Sequence, residues 1–312
     1  MVKIHWIESP EPEAGRTYKM FLEGMRNNPQ VERVDRHEDA DWVFMHHMAY
    51  CLGVTYDGPL EKLVVINFRD MPKASSMPKG ARAYFIRSWH GHERNEAGFF
   101  EKIPRTPPWP DNFFPLTMCA MEDFFLADPP AERDIDVTCC LRNGFHNRRA
   151  VRQELEAYFA GKDYVTQFGP INDGGRNDTN EEYLRTLARS KVVVTCQPDR
   201  WEGDWRTWEA FASGALVFTD TVYVEGHSAV APECATYHFS HGLNDLGKRV
   251  EAYLSMDPIP SFQSRTDKAA FAHMTGDWLR RAIGEWGAYE TASGHRSLHR
   301  IDYMLACLER QK

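Results

Sequence analysis

The sequence predicts an α/β protein: two Rossmann-like domains facing a cleft, closed by C-terminal helices. Three observations carry this. A length of 312 residues fits two domains at about 150 residues each. In both halves, short apolar runs rich in Val, Ile and aromatic residues alternate with segments of helical spacing, the pattern of parallel sheets with right-handed crossovers. Between the halves, Ala127 to Asp134 (ADPPAERD) breaks that alternation, because proline fixes φ and cannot donate to a strand ladder. The expected division is 1–130 for the first α/β domain, 131–265 for the second, and 266–312 for helices that pack back on the first.

The expected strands of the first half are Val2 to Ile7, Trp42 to Met45, Leu63 to Asn67 and Ala83 to Ile86, each bounded by Asp, Gly or Pro. Thr17 to Met25 places Tyr18, Phe21, Leu22 and Met25 at helical spacing between the first two. Ile103 to Asp111 is a second Pro-rich stretch. The second half begins with a buried strand at Ile135 to Leu141, then a helix at Arg148 to Phe159 with Val151, Leu155 and Tyr158 on one face. A short strand, Tyr164 to Gln167, leads to a Gly/Asn/Asp loop at Gly169 to Asp178. Thr179 with Glu182 has capping-box spacing for the next helix. A strand at Val192 to Cys196, a helix at Trp205 to Ala212 and a strand at Leu216 to Phe218 follow; Lys268 to Arg310 reads as helical.

Composition bounds the function. Apolar residues make up 42% and charged ones 26%, an ordinary globular mixture. No apolar run reaches the roughly 18 residues of a membrane helix, and MVKIHWIESPEPE is not a signal peptide. A formal charge of −8 argues against general nucleic-acid binding, since a net negative chain repels a phosphate backbone. A small anion needs only a local cluster of donors. The seven cysteines include no CxxC pair, so neither a zinc site nor a disulfide framework is indicated, and a reducing, cytoplasmic setting is expected.

The segment Ser190 to Asp220 (SKVVVTCQPDRWEGDWRTWEAFASGALVFTD) carries most of the chemistry. A buried strand ends at Cys196, a polar loop follows, and a helix begins near Asp204, the expected N-cap. Ligands of open α/β sheets bind beyond the carboxyl ends of strands, where helix N-termini offer free N–H groups and about half a positive charge. Arg206, beside Thr207 in the first turn, adds a bidentate fork for phosphate oxygens. Glu209, one turn on, suits a pair of ribose hydroxyls. Gly214 reads as the C-cap.

This segment resembles the donor-binding motif of two-domain GT-B glycosyltransferases, most closely the exostosin-like kind. The matching residues are Arg206, Glu209, Ser213, Gly214 and Val217, closed by Asp220, and Cys140-Leu141-Arg142-Asn143 resembles the end of the first strand of the same domain. The resemblance covers roughly residues 135 to 256; Asn67-Phe68-Arg69-Asp70 and Phe85-Ile86-Arg87-Ser88 match more loosely. It implies transfer of a monosaccharide from a nucleoside diphosphate sugar, on family grounds a uridine one, to a glycan hydroxyl. Arg142, Asn143, Arg206, Thr207 and Glu209 would hold the donor. The retaining relatives pair two glutamates eight positions apart; here Trp201 stands eight before Glu209, and Glu202 is off by one.

The first domain should supply the catalytic base, and Asp70, His46 and His47 each sit just past a strand end. Arg148, Arg149 and Arg152 read as the basic face of a surface helix. Asp39-Ala-Asp41 and Asp134-Ile-Asp136 precede their strands, at the wrong edge for holding an ion on a diphosphate, and His46-His47 and His90-Gly-His92 lack a third ligand at suitable spacing. No metal and no cofactor are therefore expected. The alternatives are a GT-B-like nucleotide-binding module without catalysis, and a dinucleotide-dependent sugar-modifying enzyme, which the missing G-x-G-x-x-G disfavours.

Overall fold

The computed structural model describes residues 1–8, 15–69, 73–171, 180–200, 203–220, 235–237, 239, 242–255 and 276–311. Two parallel sheets organise them. The first contains β1 (Val2–Ile7), β2 (Val31–Arg33), β3 (Trp42–His46), β4 (Leu63–Asn67), β5 (Ala83–Ile86) and β8 (Phe113–Pro115), in the order β2-β1-β3-β4-β5-β8. Helix α1 (Gly15–Asn27) connects β1 to β2, and the short α2 (His47–Cys51) follows β3 directly. The second sheet contains β9 (Ile135–Cys139), β10 (Thr166–Phe168), β11 (Ser190–Val194), β12 (Leu216–Asp220) and β13 (Ala235–Tyr237), in the order β10-β9-β11-β12-β13. Its helices are α3 (His146–Phe159), α4 (Glu181–Arg189), α5 (Trp205–Ala212) and α6 (Leu246–Leu254). Two helices, α7 (Gly276–Gly294) and α8 (Ser297–Arg310), end the chain.

The expected strands form because sheets covered on both faces need unbroken apolar runs: β4 (LVVIN) and β12 (LVFTD) are buried at every residue. Alternate residues feed opposite layers. Val43, Met45, Val65 and Ile86 fill one face of the first sheet. Trp6, Phe44, Ile66 and Phe85 fill the other, in a core that continues through Ile301 and Met304 of α8 into Trp208 and Phe211 of α5. The two halves thus share one apolar core.

Several expectations are corrected. Helix α4 is capped by Asn180, whose side chain accepts from Tyr183 N at 3.2 Å; Thr179 lies outside the described residues, as does most of the loop from Gly169 to Asp178. The strand read as Ile135 to Leu141 ends at Cys139, and 268–275 of the C-terminal helical stretch fall outside the description. A polar antiparallel hairpin, β6 (Gly91–Arg94) with β7 (Phe100–Ile103), was not expected. Asp41 and Asp134 do lie at strand entries: Asp41 Oδ2 accepts from Lys3 N at 2.8 Å, and Asp134 pairs with Arg189.

The terminal helix docks through α1. A Cβ on Gly24 would stand 2.6 Å from Ser297 O, so this close approach requires glycine. Beside it the buried Glu23 accepts from Ser297 Oγ at 2.6 Å. Burial pushes the Glu23 carboxyl above its ordinary value, against the lowering bond from Ser297. The folded protein therefore holds this proton more tightly than the unfolded chain does. The contribution is full below about 4.5 and declines as pH rises toward the folded value. Glu23→Gln is expected to flatten that decline, read by urea unfolding across the same pH window; an unchanged slope excludes Glu23 as its source.

Candidate donor site at the second-sheet edge

In the second sheet the chain leaves β9 toward β10 on one side and returns to β11 on the other. Such a switch point, between the loops after β9 and β11, is the usual ligand crevice of these sheets. The site is built around Asp204, before α5. Its backbone occupies the N-cap position, but its side chain makes no cap bond. The carboxylate instead pairs with Arg148 of α3, while Arg206 Nη1 lies 3.7 Å away. Burial pushes the Asp204 carboxyl up, but Arg148, Arg206 and Arg87 together outweigh burial and hold it below the usual range.

Arg148 corrects the reading of a basic surface face: it is 1% exposed, and its Nε donates to Cys196 O at 2.9 Å. The signal was present in the sequence, since positions 148, 151, 155 and 159 recur at helical spacing and the other three are buried apolar residues. Arg149, by contrast, is exposed as expected.

Gln197 ties the β11–α5 loop to its surroundings. Its N–H donates to Asp220 Oδ1 at 2.9 Å, its Nε2 to Thr207 Oγ1 at 2.9 Å, and its Oε1 accepts from Asp204 N at 2.9 Å. Thr207 is therefore a buried bracing residue of the first turn of α5. Burial pushes the Asp220 carboxyl up, opposed by Lys102 of β7. The N-terminus of α3 is filled from within: Asp199 accepts from His146 N at 3.0 Å and Asn147 N at 2.8 Å. Of the two helix N-termini in the crevice, α3 is thus closed by a carboxylate of the chain itself.

Arg142 is half-buried and Asn143 exposed in the loop after β9. Glu209 is buried and lines a cavity of about 110 Å³ with Phe124, Leu126, Leu184 and Ser213. Its charge and that of Arg206 act on Tyr183 of α4. Burial works against the Arg206 guanidinium, yet Asp204 leads the groups that hold it above its ordinary value. Of the three tryptophans in this segment, Trp208 is core, Trp205 packs edge-on to Phe124, and Trp201, like Glu202, lies outside the described residues.

The first half meets this crevice with its own strand ends. Arg87, just past β5, is buried and its charge reaches Asp204. Gly203 has φ +67°, and a Cβ there would stand 3.0 Å from Thr117 Cγ2. The hairpin crosses as well: Asn147 Nδ2 donates to Phe100 O at 3.0 Å and Asn147 Oδ1 accepts from Phe100 N at 3.1 Å. His46 ends β3, and its Nδ1 accepts from Met48 N at 3.3 Å. Burial, helped by the charge of His47, lowers the His46 imidazole to about 4. His47 is buried beside Cys51 Sγ, at 3.5 Å. Asp70 lies outside the described residues.

Two parallel Rossmann-like sheets whose carboxyl edges meet across a crevice define the GT-B fold. Solved structures share it. HepE of Anabaena, in complex with UDP-glucose, matches at TM-score 0.52 and 8% identity, covering 99% of this chain and 100% of that one. Sucrose-phosphate synthase from Thermosynechococcus elongatus matches at 0.50 and 12%, covering 100% and 99%. Against TarM (TM-score 0.49, 10% identity, 85% of this chain) it spans 54% of the length of that protein. No family model and no curated relative matches by sequence. Among the described residues, no helix is long and apolar enough to cross a membrane.

Proposed function

We propose that this protein is a glycosyltransferase of exostosin-like character that moves a monosaccharide from a nucleoside diphosphate sugar, uridine-linked, to a carbohydrate hydroxyl. The observation that carries the reading is a cluster of arginines at the second-sheet crevice. Arg148, Arg206 and Arg87 converge on the carboxylate of Asp204, beside the N-terminus of α5. A diphosphate gathers negative charge as the glycosidic bond breaks, and preorganised cations aimed at such developing charge contribute more to the rate than any other single effect in many enzymes. Arg206 and Arg142 would hold the phosphates, Asn143 the rim of the same pocket, and Glu209 the ribose, with Thr207 bracing the helix start. The complex of HepE with UDP-glucose supports a uridine donor.

Asp70, just past β4, is proposed as the base that deprotonates the acceptor. His46 is neutral at pH 7 with Nδ1 engaged, and His47 faces Cys51, so neither competes well for that role. We assign no divalent ion, because Asp134 and Asp136 are paired with Arg189 and Lys191 at the opposite edge. We propose 1–130 and 131–265 as the two domains; of the helices in 266–312, α7 packs on α5, α6 and β12 of the second, which corrects the expectation that both pack back on the first, and α8 packs on α1 of the first. Free thiols such as Cys119, Cys139 and Cys196 fit a reducing, cytoplasmic compartment.

The test is a thermal-shift titration followed by sugar release from a panel of nucleotide sugars. UDP is expected to raise the melting temperature and NAD to leave it unchanged. Binding without sugar release selects the non-catalytic nucleotide module; a shift with NAD alone selects the dinucleotide enzyme.

A further inference from the structure

Helix α7 exposes its largest rings. Arg280, Gly284, Gly287 and Thr291 recur at helical spacing and form its buried face. A Cβ on Gly284 would stand 2.4 Å from Gly214 O and 3.0 Å from Ala215 C, so the helix lies directly on the backbone between α5 and β12. The aromatic side chains are on the other side. Trp278, Trp286 and Tyr289 are 50%, 48% and 61% exposed, and the rings of Trp286 and Tyr289 lie 5.6 Å apart. At about 100° per residue the three positions fall within a stripe of roughly 80°, centred opposite the buried face and about 16 Å long. Among the described residues, no other tryptophan is exposed. Isolated exposed rings are ordinary, but several on one stripe mark a surface that meets a partner.

The stripe is its own complement. When two copies of α7 run antiparallel about a two-fold axis between Ile283 and Gly284, position 278 of one helix meets 289 of the other, 281 meets 286, and 282 meets 285. Trp278 then stacks on Tyr289 of the second copy, and Arg281 lies over the face of Trp286. Charge is matched as well. Arg281 and Glu285 are both exposed on the same flank of the stripe, and an antiparallel two-fold pair brings that flank against its own copy. Each Arg281 thereby meets Glu285 of the second copy, twice over by symmetry. Tryptophan, tyrosine and arginine are also the residues that anchor interfaces. A lipid surface suits the stripe less, because the flank carries both signs and the chain is −8 overall, which anionic lipid repels.

We propose that the aromatic stripe of α7 is a two-fold interface through which two copies of this chain pair, helix against antiparallel helix. The proposal is independent of the sugar-transfer reading. Two helices of this length bury less than a standard interface, so a reversible dimer with a dissociation constant of about 1–100 µM is expected.

Sedimentation equilibrium of the full chain over about 1–300 µM tests it. Trp286→Ser is expected to weaken the dimer about tenfold or more and to leave the circular dichroism of the monomer unchanged. Arg281→Glu and Glu285→Arg each set like charges against one another across the axis, and each should weaken self-association about three- to tenfold. An equimolar mixture of these two variants should pair again, since the acidic chain meets the basic one; no contact within a single chain produces that restoration. The proposal is overturned if the chain stays monomeric throughout, if Trp286→Ser pairs as the parent does, or if the mixture associates no better than its components. Binding of the monomer to phosphatidylcholine vesicles or to maltohexaose, lost in Trp286→Ser, overturns it too and gives the stripe to a lipid surface or a glycan. None of these outcomes bears on nucleotide-sugar binding.

Discussion

Asp204→Asn is expected to destabilise the protein by about 3–5 kcal/mol, the usual cost of leaving one member of a buried ion pair without its counter-charge. Arg148 is 1% exposed and donates to Cys196 O, so it cannot turn to solvent when the carboxylate is lost. Urea unfolding measures the loss. Arg148→Met should cost less, because Arg206 and Arg87 still face the carboxylate. The double variant Arg148→Met with Asp204→Leu should recover part of the loss, since apolar residues of similar volume often replace a buried pair without penalty. Acid sensitivity follows from the same group. Its folded value is depressed, so its contribution is present above about 3.8 and lost as pH falls through the folded value; Asp204→Asn should remove that part of the acid limb. An Asp204→Asn protein as stable as the parent would show that this pair does not hold the crevice together.

Arg206→Ala is expected to lower kcat/KM for the nucleotide sugar by about 10²–10³, the range seen when one preorganised stabiliser of developing negative charge is removed. The affinity for UDP should fall about tenfold or more, as charge-assisted bonds to phosphate are among the stronger ones. Arg206→Lys should recover part of the affinity and little of the turnover, because an ammonium supplies charge without the planar fork. The melting temperature should fall, by less than for Asp204→Asn, since Arg206 is one of three arginines acting on the Asp204 carboxylate and Arg148 and Arg87 remain. Donor affinity and turnover that survive Arg206→Ala would move the donor pocket elsewhere.

Much of the fold is legible in short-range pattern. The limits of β1, β4, β5 and α5 coincide with the runs read from the sequence; for β4 and β5, buried at every residue, the reason is that a parallel strand covered on both faces is an unbroken apolar run cut off by polar residues. The hairpin of β6 and β7 escaped notice for the opposite reason. GHER is polar with its last two residues exposed, and FEKI is part-buried with two charged residues at its centre; nothing in their spacing announces that Phe100 will meet Asn147 in the other half.

The elements that flank the proposed donor site were likewise readable, since a buried strand, a polar loop and a helix start follow one another in the sequence as β11 and α5 do in the structure. The roles of individual charges were not. Helical spacing with Val151, Leu155 and Phe159 sets Arg148 and not Arg149 on the buried face of α3, but nothing local names Asp204 as its partner. Asp204 looks like a helix cap from its neighbours alone, yet its carboxylate turns to an arginine 56 positions away. Local periodicity is enough to decide which segments become strands and helices, because hydrophobic burial acts through averages over many residues. The partner of a buried charge is a single contact between distant points of the chain, and packing alone brings those points together.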